Sequence, residues 1–125
     1  MRTILVVDDS STMRRMIIAA LQGLDDVGFD QAATGLEAIE RLAVASVDLV
    51  VLDLNMPDVH GLEVLRFVRT HETFRALPIV VLTTRSDQDS RLAAMGEGAT
   101  LYLTKPFTPE TLRPEVQRLL STANA

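Results

Sequence analysis

Acidic side chains that follow short apolar runs carry most of the chemistry this sequence offers. Asp8 and Asp9 follow Ile4-Leu5-Val6-Val7, and Asp53 follows Leu49-Val50-Val51-Leu52, with Asn55 two residues on. Thr83 closes a third run, Ile79-Val80-Val81-Leu82, and Lys105 comes just after a fourth, Ala99-Thr100-Leu101-Tyr102-Leu103. Two carboxylates about 4 Å apart repel by roughly 4 kcal/mol at an effective dielectric near 20, so three that converge call for a cation. Lys105 supplies one charge, and an oxygen donor set without His or Cys suits Mg²⁺. Octahedral coordination is then expected from Asp9, Asp53, a backbone carbonyl near Asn55 and waters held by Asp8. Open positions on such an ion accept phosphate oxygens.

Lys105 is the only lysine in a chain with eleven arginines. Its compact ammonium enters a small pocket that a forked guanidinium does not fit. Pro106 follows directly, a position that allows a cis turn. Taken singly, each residue has a plainer reading: Asp8 and Asp9 suit a turn and helix cap, Asp53 a strand terminator, and Thr83 and Lys105 solvated surface. Four strand ends bearing complementary oxygen and ammonium groups favour the functional reading.

Positioning these residues requires strands that end together. The apolar runs are continuous rather than alternating, which is the pattern of parallel strands covered on both faces, and a weaker strand fits Gly28 to Ala32. Helical spacing appears between them in Met13-Met16-Ile17-Ala20-Leu21-Leu24, Leu36-Ile39-Leu42, Leu62-Leu65-Val68, Leu92-Met95 and Leu112-Val116-Leu119-Leu120. Strict alternation predicts a doubly wound α/β fold whose five-stranded parallel sheet carries helices on both faces, with ligands outside the carboxyl ends of the strands. Ser10 or Ser11 caps the first helix, and Thr108-Pro109-Glu110 starts the last. Pro114, inside that helix, predicts a kink or loosened turn. Gly96-Glu97-Gly98 reads as a helix C-cap rather than a dinucleotide fingerprint, since it precedes a strand. His60 and His71 lack metal-site spacing and are expected to face solvent without a role.

The 125 residues suit one domain, 1–125. A net charge of −5 is the wrong sign for nucleic acid or an anionic membrane, and no run is long enough for a signal peptide or a membrane span. The absence of cysteine excludes disulfides and thiolate metal sites and fits a cytoplasmic setting. A monomer is expected.

These residues resemble the receiver domain of two-component response regulators, and Asp8-Asp9-Ser10-Ser11-Thr12-Met13-Arg14-Arg15 looks most like the single-domain chemotaxis regulators (CheY-like). The motifs are the acidic pair, Asp53-Leu54-Asn55-Met56-Pro57 with Gly61, Thr83-Thr84, and Tyr102-Leu103-Thr104-Lys105-Pro106-Phe107, in the family's order across the whole chain. The resemblance implies a flavodoxin-like (βα)5 sheet of order 2-1-3-4-5. It implies that Asp53 accepts a phosphoryl group from a histidine kinase with Mg²⁺, that Thr83 and Lys105 bind the phosphoryl, and that Thr83 and Tyr102 form a switch. The partners implied are that kinase and a downstream protein such as the flagellar motor switch, and the chain is a signalling module, not a turnover enzyme. Asn55 and Arg85 would flank the path of the water that removes the phosphoryl group. Two rivals differ in class. A haloacid dehalogenase-type phosphatase needs an acid where Asn55 stands and room for a cap, and a flavin-binding domain is disfavoured by the acidic pocket.

Overall fold

The apolar runs pair as their continuous apolarity requires. In the computed structural model, which describes residues 1–123, the strands are β1 (Arg2–Val7), β2 (Val27–Ala32), β3 (Leu49–Leu52), β4 (Ile79–Thr83) and β5 (Leu101–Thr104). They form one sheet in the order β2-β1-β3-β4-β5, and every neighbouring pair is parallel. Helices α1 (Ser11–Leu21), α2 (Gly35–Val44), α3 (Gly61–Thr70), α4 (Gln88–Gly96) and α5 (Pro109–Ala123) alternate with them. Asn124 and Ala125, the last residues of the expected domain, lie outside the described residues.

Two cores result from the pleat, because successive strand side chains point to opposite faces. Leu5, Val7, Val50, Leu52, Ile79 and Val81 pack with Ala38, Leu42, Val64, Leu65, Val68 and Ala94 of α2, α3 and α4. Ile4, Val6, Leu49, Val51, Val80 and Leu82 pack with Ile17, Ala20 and Leu21 of α1 and Leu112, Val116, Leu119 and Leu120 of α5. Each of these strand residues is buried, and full burial of such a side chain stabilises by roughly 1.5–3 kcal/mol.

Register sets where the polar residues emerge. Val7 pairs with Leu52, Leu52 with Val81, and Thr83 with Thr104, so Asp8, Asp53, Thr83 and Lys105 reach the same sheet edge. The strand order reverses between β1 and β3, which is where an open α/β sheet opens a crevice.

Local differences from the sequence reading have physical causes. The last strand starts at Leu101, not Ala99, because Ala99 N–H bonds back to Ala94 at the end of α4 (3.0 Å) and the Thr100 hydroxyl accepts from Ile79 N–H (2.9 Å). Ser10, not Ser11, caps α1 by accepting from Met13 N–H at 3.1 Å. The Thr108 hydroxyl accepts from Thr111 N–H at the start of α5, at 3.2 Å. The helix α5 runs unbroken through Pro114, which lies on its exposed side, where a carbonyl without its usual donor meets water. Gly98 takes φ = 105° just past the C-cap of α4, a conformation that favours glycine. His60, expected to face solvent, is half-buried and caps α3: its Nδ1 accepts from Leu62 N–H at 3.1 Å. The exposed His71 also has a local role, stacking on Phe74 (centroids 4.6 Å apart) and accepting from Thr73 N–H.

Candidate functional site

The site is built where the sheet ladder runs one residue past the strands. Asp8 N–H donates to the Ala32 carbonyl (3.1 Å), Asp53 N–H to Val7 (3.0 Å) and Lys105 N–H to Thr83 (2.8 Å), so three site residues have their backbones fixed by sheet bonds. Lys105 lies just after β5, and the Lys105–Pro106 peptide is cis. Its ammonium donates to Asp8 Oδ2 at 2.7 Å and to Asp53 Oδ2 at 3.3 Å.

Both carboxylates are buried, Asp8 to 1% and Asp53 to 5% exposure, and Lys105 is nearly so. Their other oxygens are held by the chain itself: Asp8 Oδ1 accepts from Ser10 N–H (3.0 Å) and Asp53 Oδ1 from Asn55 N–H (3.2 Å). Asp9 is exposed, and one oxygen from each of Asp8, Asp9 and Asp53 lies within 4.8 Å of the others. Three carboxylates against one ammonium leave an excess of negative charge in a partly desolvated crevice. An oxygen-only set of this kind fits a hard divalent cation, with Asp9 reaching it from the open side.

Beside the acidic cluster, Asn55, Thr84 and Arg85 form a polar roof. Arg85 Nε donates to Asn55 Oδ1 at 2.5 Å, and Asn55 Nδ2 donates to Thr84 Oγ1 at 3.4 Å. The buried Thr83 hydroxyl accepts from Arg85 N–H at 3.3 Å. Tyr102 is buried as well; its hydroxyl, instead of sitting in water, donates to the Arg85 carbonyl at 2.6 Å. Burial pushes the Tyr102 phenol pKa up, and the Asp87 carboxylate adds to this. The Arg91 guanidinium lies 5.5 Å from its ring centroid.

Asp8, Asp9, Asp53, Asn55, Thr83 and Lys105 thus converge, Tyr102 connects to them through the backbone of Arg85, and Pro106 supplies the turn. Sequence reasoning missed Arg14. Its Nη1 donates to the Asp8 carbonyl at 2.6 Å and its Nε to Gln31 Oε1 at 2.9 Å, fixing the acidic turn to β2. The adjacent Arg14-Arg15 pair offered no signal for which arginine turns inward.

Comparison with known proteins agrees with this geometry. The family model described as "Response regulator receiver domain" matches residues 4–117. The chain is 38% identical over 120 residues to the chemotaxis protein CheY1 of Helicobacter pylori, covering 95% of this chain and 97% of that protein. It is 36% identical over 122 residues to the chemotaxis protein CheY homologue of Campylobacter jejuni, covering 97% of this chain and 94% of that one. The structure of the chemotaxis response regulator CheY4 of Vibrio cholerae superposes with a TM-score of 0.86 at 36% identity, covering 95% of this chain and 98% of that one. With its acidic crevice, its single buried lysine and a match over nearly its whole length, the chain belongs to the response regulator receiver domain family.

Proposed function

We propose that this chain works as one phosphorylatable receiver that takes a phosphoryl group on Asp53 from a histidine kinase and signals through the face formed by α4, β5 and α5. The observation that carries the reading is Lys105, whose ammonium bridges the buried carboxylates of Asp8 and Asp53 while its backbone N–H is bonded to Thr83, a residue whose hydroxyl is buried. Asp8, Asp9, Asp53 and the backbone carbonyl of Asn55 would hold Mg²⁺, which when bound supplies charge neutralisation at the phosphoryl oxygens.

In the transfer, an Asp53 carboxylate oxygen attacks phosphorus. The P–N bond of a phosphohistidine breaks, its electron pair returns to the imidazole nitrogen, and Asp53 becomes an aspartyl phosphate. Lys105 offsets charge on a phosphoryl oxygen, and the Thr83 hydroxyl donates to another. Redirecting that hydroxyl alters its bond with Arg85 N–H, and Arg85 also holds the Tyr102 hydroxyl. Tyr102 packs in the core with Arg91 over its ring, so the change reaches the α4 face.

This is signalling chemistry performed on the chain itself. The likeness to chemotaxis proteins supports a chemotaxis-type kinase and a downstream target such as the flagellar motor switch. Incubation with acetyl phosphate and Mg²⁺ should add one phosphoryl mass that maps to Asp53. Mapping to another residue, or steady release of phosphate from a phosphomonoester, would overturn the reading.

A further inference from the structure

The loop between β3 and α3 carries Asn55, whose backbone carbonyl the proposed function assigns to the metal, yet its tip is bonded to a different element. Asp58 Oδ1 accepts from Gly35 N–H at 3.0 Å, and Asp58 Oδ2 accepts from Leu36 N–H at 3.1 Å. Gly35 and Leu36 are the first residues of α2, and N–H groups in a first helical turn have no partner within the helix. The helix's own cap, Thr34, serves only Glu37 N–H at 3.1 Å. A carboxylate here also meets the positive end of the helix dipole.

We propose that Asp58 is a positioning residue for the metal-binding carbonyl, acting by tying the β3–α3 loop to the N-terminus of α2. This rests on the reading of the acidic crevice as an Mg²⁺ site. Both ends of the loop are pinned near Asp53: Asn55 N–H donates to Asp53 Oδ1 at 3.2 Å, and Gly61 N–H donates to the Leu54 carbonyl at 3.2 Å. The tip is pinned to α2 alone among these contacts. Pro57 lies between Asn55 and Asp58, and its ring fixes φ, so a shift of Asp58 passes along a stiff segment to Asn55. Loop and helix also touch directly, since a Cβ added at Gly35 would lie 2.7 Å from both the Val59 Cβ and the Val59 carbonyl oxygen.

Calorimetric titration of the unphosphorylated protein with Mg²⁺ tests the tie without using activity. Asp58→Ala should weaken Mg²⁺ binding several-fold and speed amide exchange at Asn55. Asp58→Asn keeps one acceptor oxygen but sets its amide NH2 against the second backbone N–H, so it should bind Mg²⁺ more weakly than wild type and more tightly than Asp58→Ala. Thr34→Ala, which removes the helix's own cap and leaves Asp58 in place, should lower thermal stability with Mg²⁺ affinity unchanged. Gly35→Ala keeps the Asp58 charge but wedges a methyl against Val59, and should weaken Mg²⁺ binding in the same sense. Unchanged affinity in both Asp58→Ala and Gly35→Ala would overturn the tie. So would weakened binding in Asp58→Ala with wild-type affinity in Gly35→Ala, which would show that charge alone matters. A wild-type chain that binds no Mg²⁺ would instead overturn the metal reading beneath it.

Discussion

Two cations are drawn inward at opposite edges of the sheet, and their partners differ in kind. At the carboxyl edge, Lys105 meets two buried carboxylates, Asp8 and Asp53, with Asp9 beside them. At the amino edge of β4 and β5, Arg69 of α3 meets only neutral oxygens among the described residues. Its Nε donates to the Gly98 carbonyl at 2.8 Å, its Nη1 to Leu77 at 2.7 Å and Arg75 at 3.2 Å, and its Nη2 to Thr100 Oγ1 at 3.3 Å. Burial lowers the Arg69 pKa from its ordinary value. The fork uses all three nitrogens on oxygens that close two loops, so the arrangement is complete. The Lys105 cluster is incomplete, because its carboxylates outnumber its ammonium. An unbalanced cluster that remains open on the Asp9 side is what the proposed uptake of a cation and a phosphoryl group requires; a balanced one holds the fold.

If that contrast holds, the carboxyl edge trades function and the amino edge trades stability. The largest effect is expected for Asp53→Asn, which should abolish phosphoryl uptake from acetyl phosphate while thermal stability holds or rises. Mass spectrometry and a melting curve check it together, and a clear loss of stability would make Asp53 a structural counter-ion like the groups around Arg69. Asp9→Ala comes next, with Mg²⁺ affinity expected to fall on the order of tenfold or more through loss of a ligand. Relief of carboxylate repulsion should leave its stability equal or up to about 1 kcal/mol higher.

Exchanging the cation types sharpens the comparison. Lys105→Arg preserves charge but brings a planar fork into a pocket for a point charge, and should slow phosphorylation by roughly tenfold. Arg69→Lys preserves charge but cannot reach four oxygens, and should cost about 1–3 kcal/mol in denaturant unfolding while the phosphorylation rate stays unchanged. Equal effects of the two swaps on rate would erase the distinction. The smallest effect is expected at the exposed Arg85, whose bond to Asn55 covers one side of the site. Arg85→Ala should speed loss of the phosphoryl group several-fold, followed as the decay of the aspartyl phosphate after the donor is removed. Decay equal to wild type would mean that the roof does not shield it.

Much of the site was legible in the chain because its residues sit at element ends, where punctuation is strongest. Asp8, Asp53 and Thr83 each terminate an apolar run, and a parallel sheet with crossover helices brings such ends together whatever the loops do. The start of α5 at Thr108 was readable for the same reason, and that of α1 to within Ser10 or Ser11, since caps act within three residues. Arg14, Asp58 and Arg69 were not readable. Their partners lie at Asp8 and Gln31, at Gly35 and Leu36, and at Gly98 and Thr100, and no local pattern distinguishes them from the other charged residues on exposed helix faces and loops.

The sequence alone therefore determined the layered α/β architecture, the acidic carboxyl edge and the choice of one lysine among arginines, because hydrophobic period and residue chemistry are properties of short windows. Tertiary structure decided the rest. It set the register that brings Lys105 Nζ to 2.7 Å from Asp8, the inward packing of Tyr102 against the Arg85 carbonyl, and the tie from Asp58 to α2. Contacts between residues 17 to 97 positions apart depend on how strands order and helices pack, and side chains of one type become clamp, ligand or solvated charge according to what the fold places opposite them.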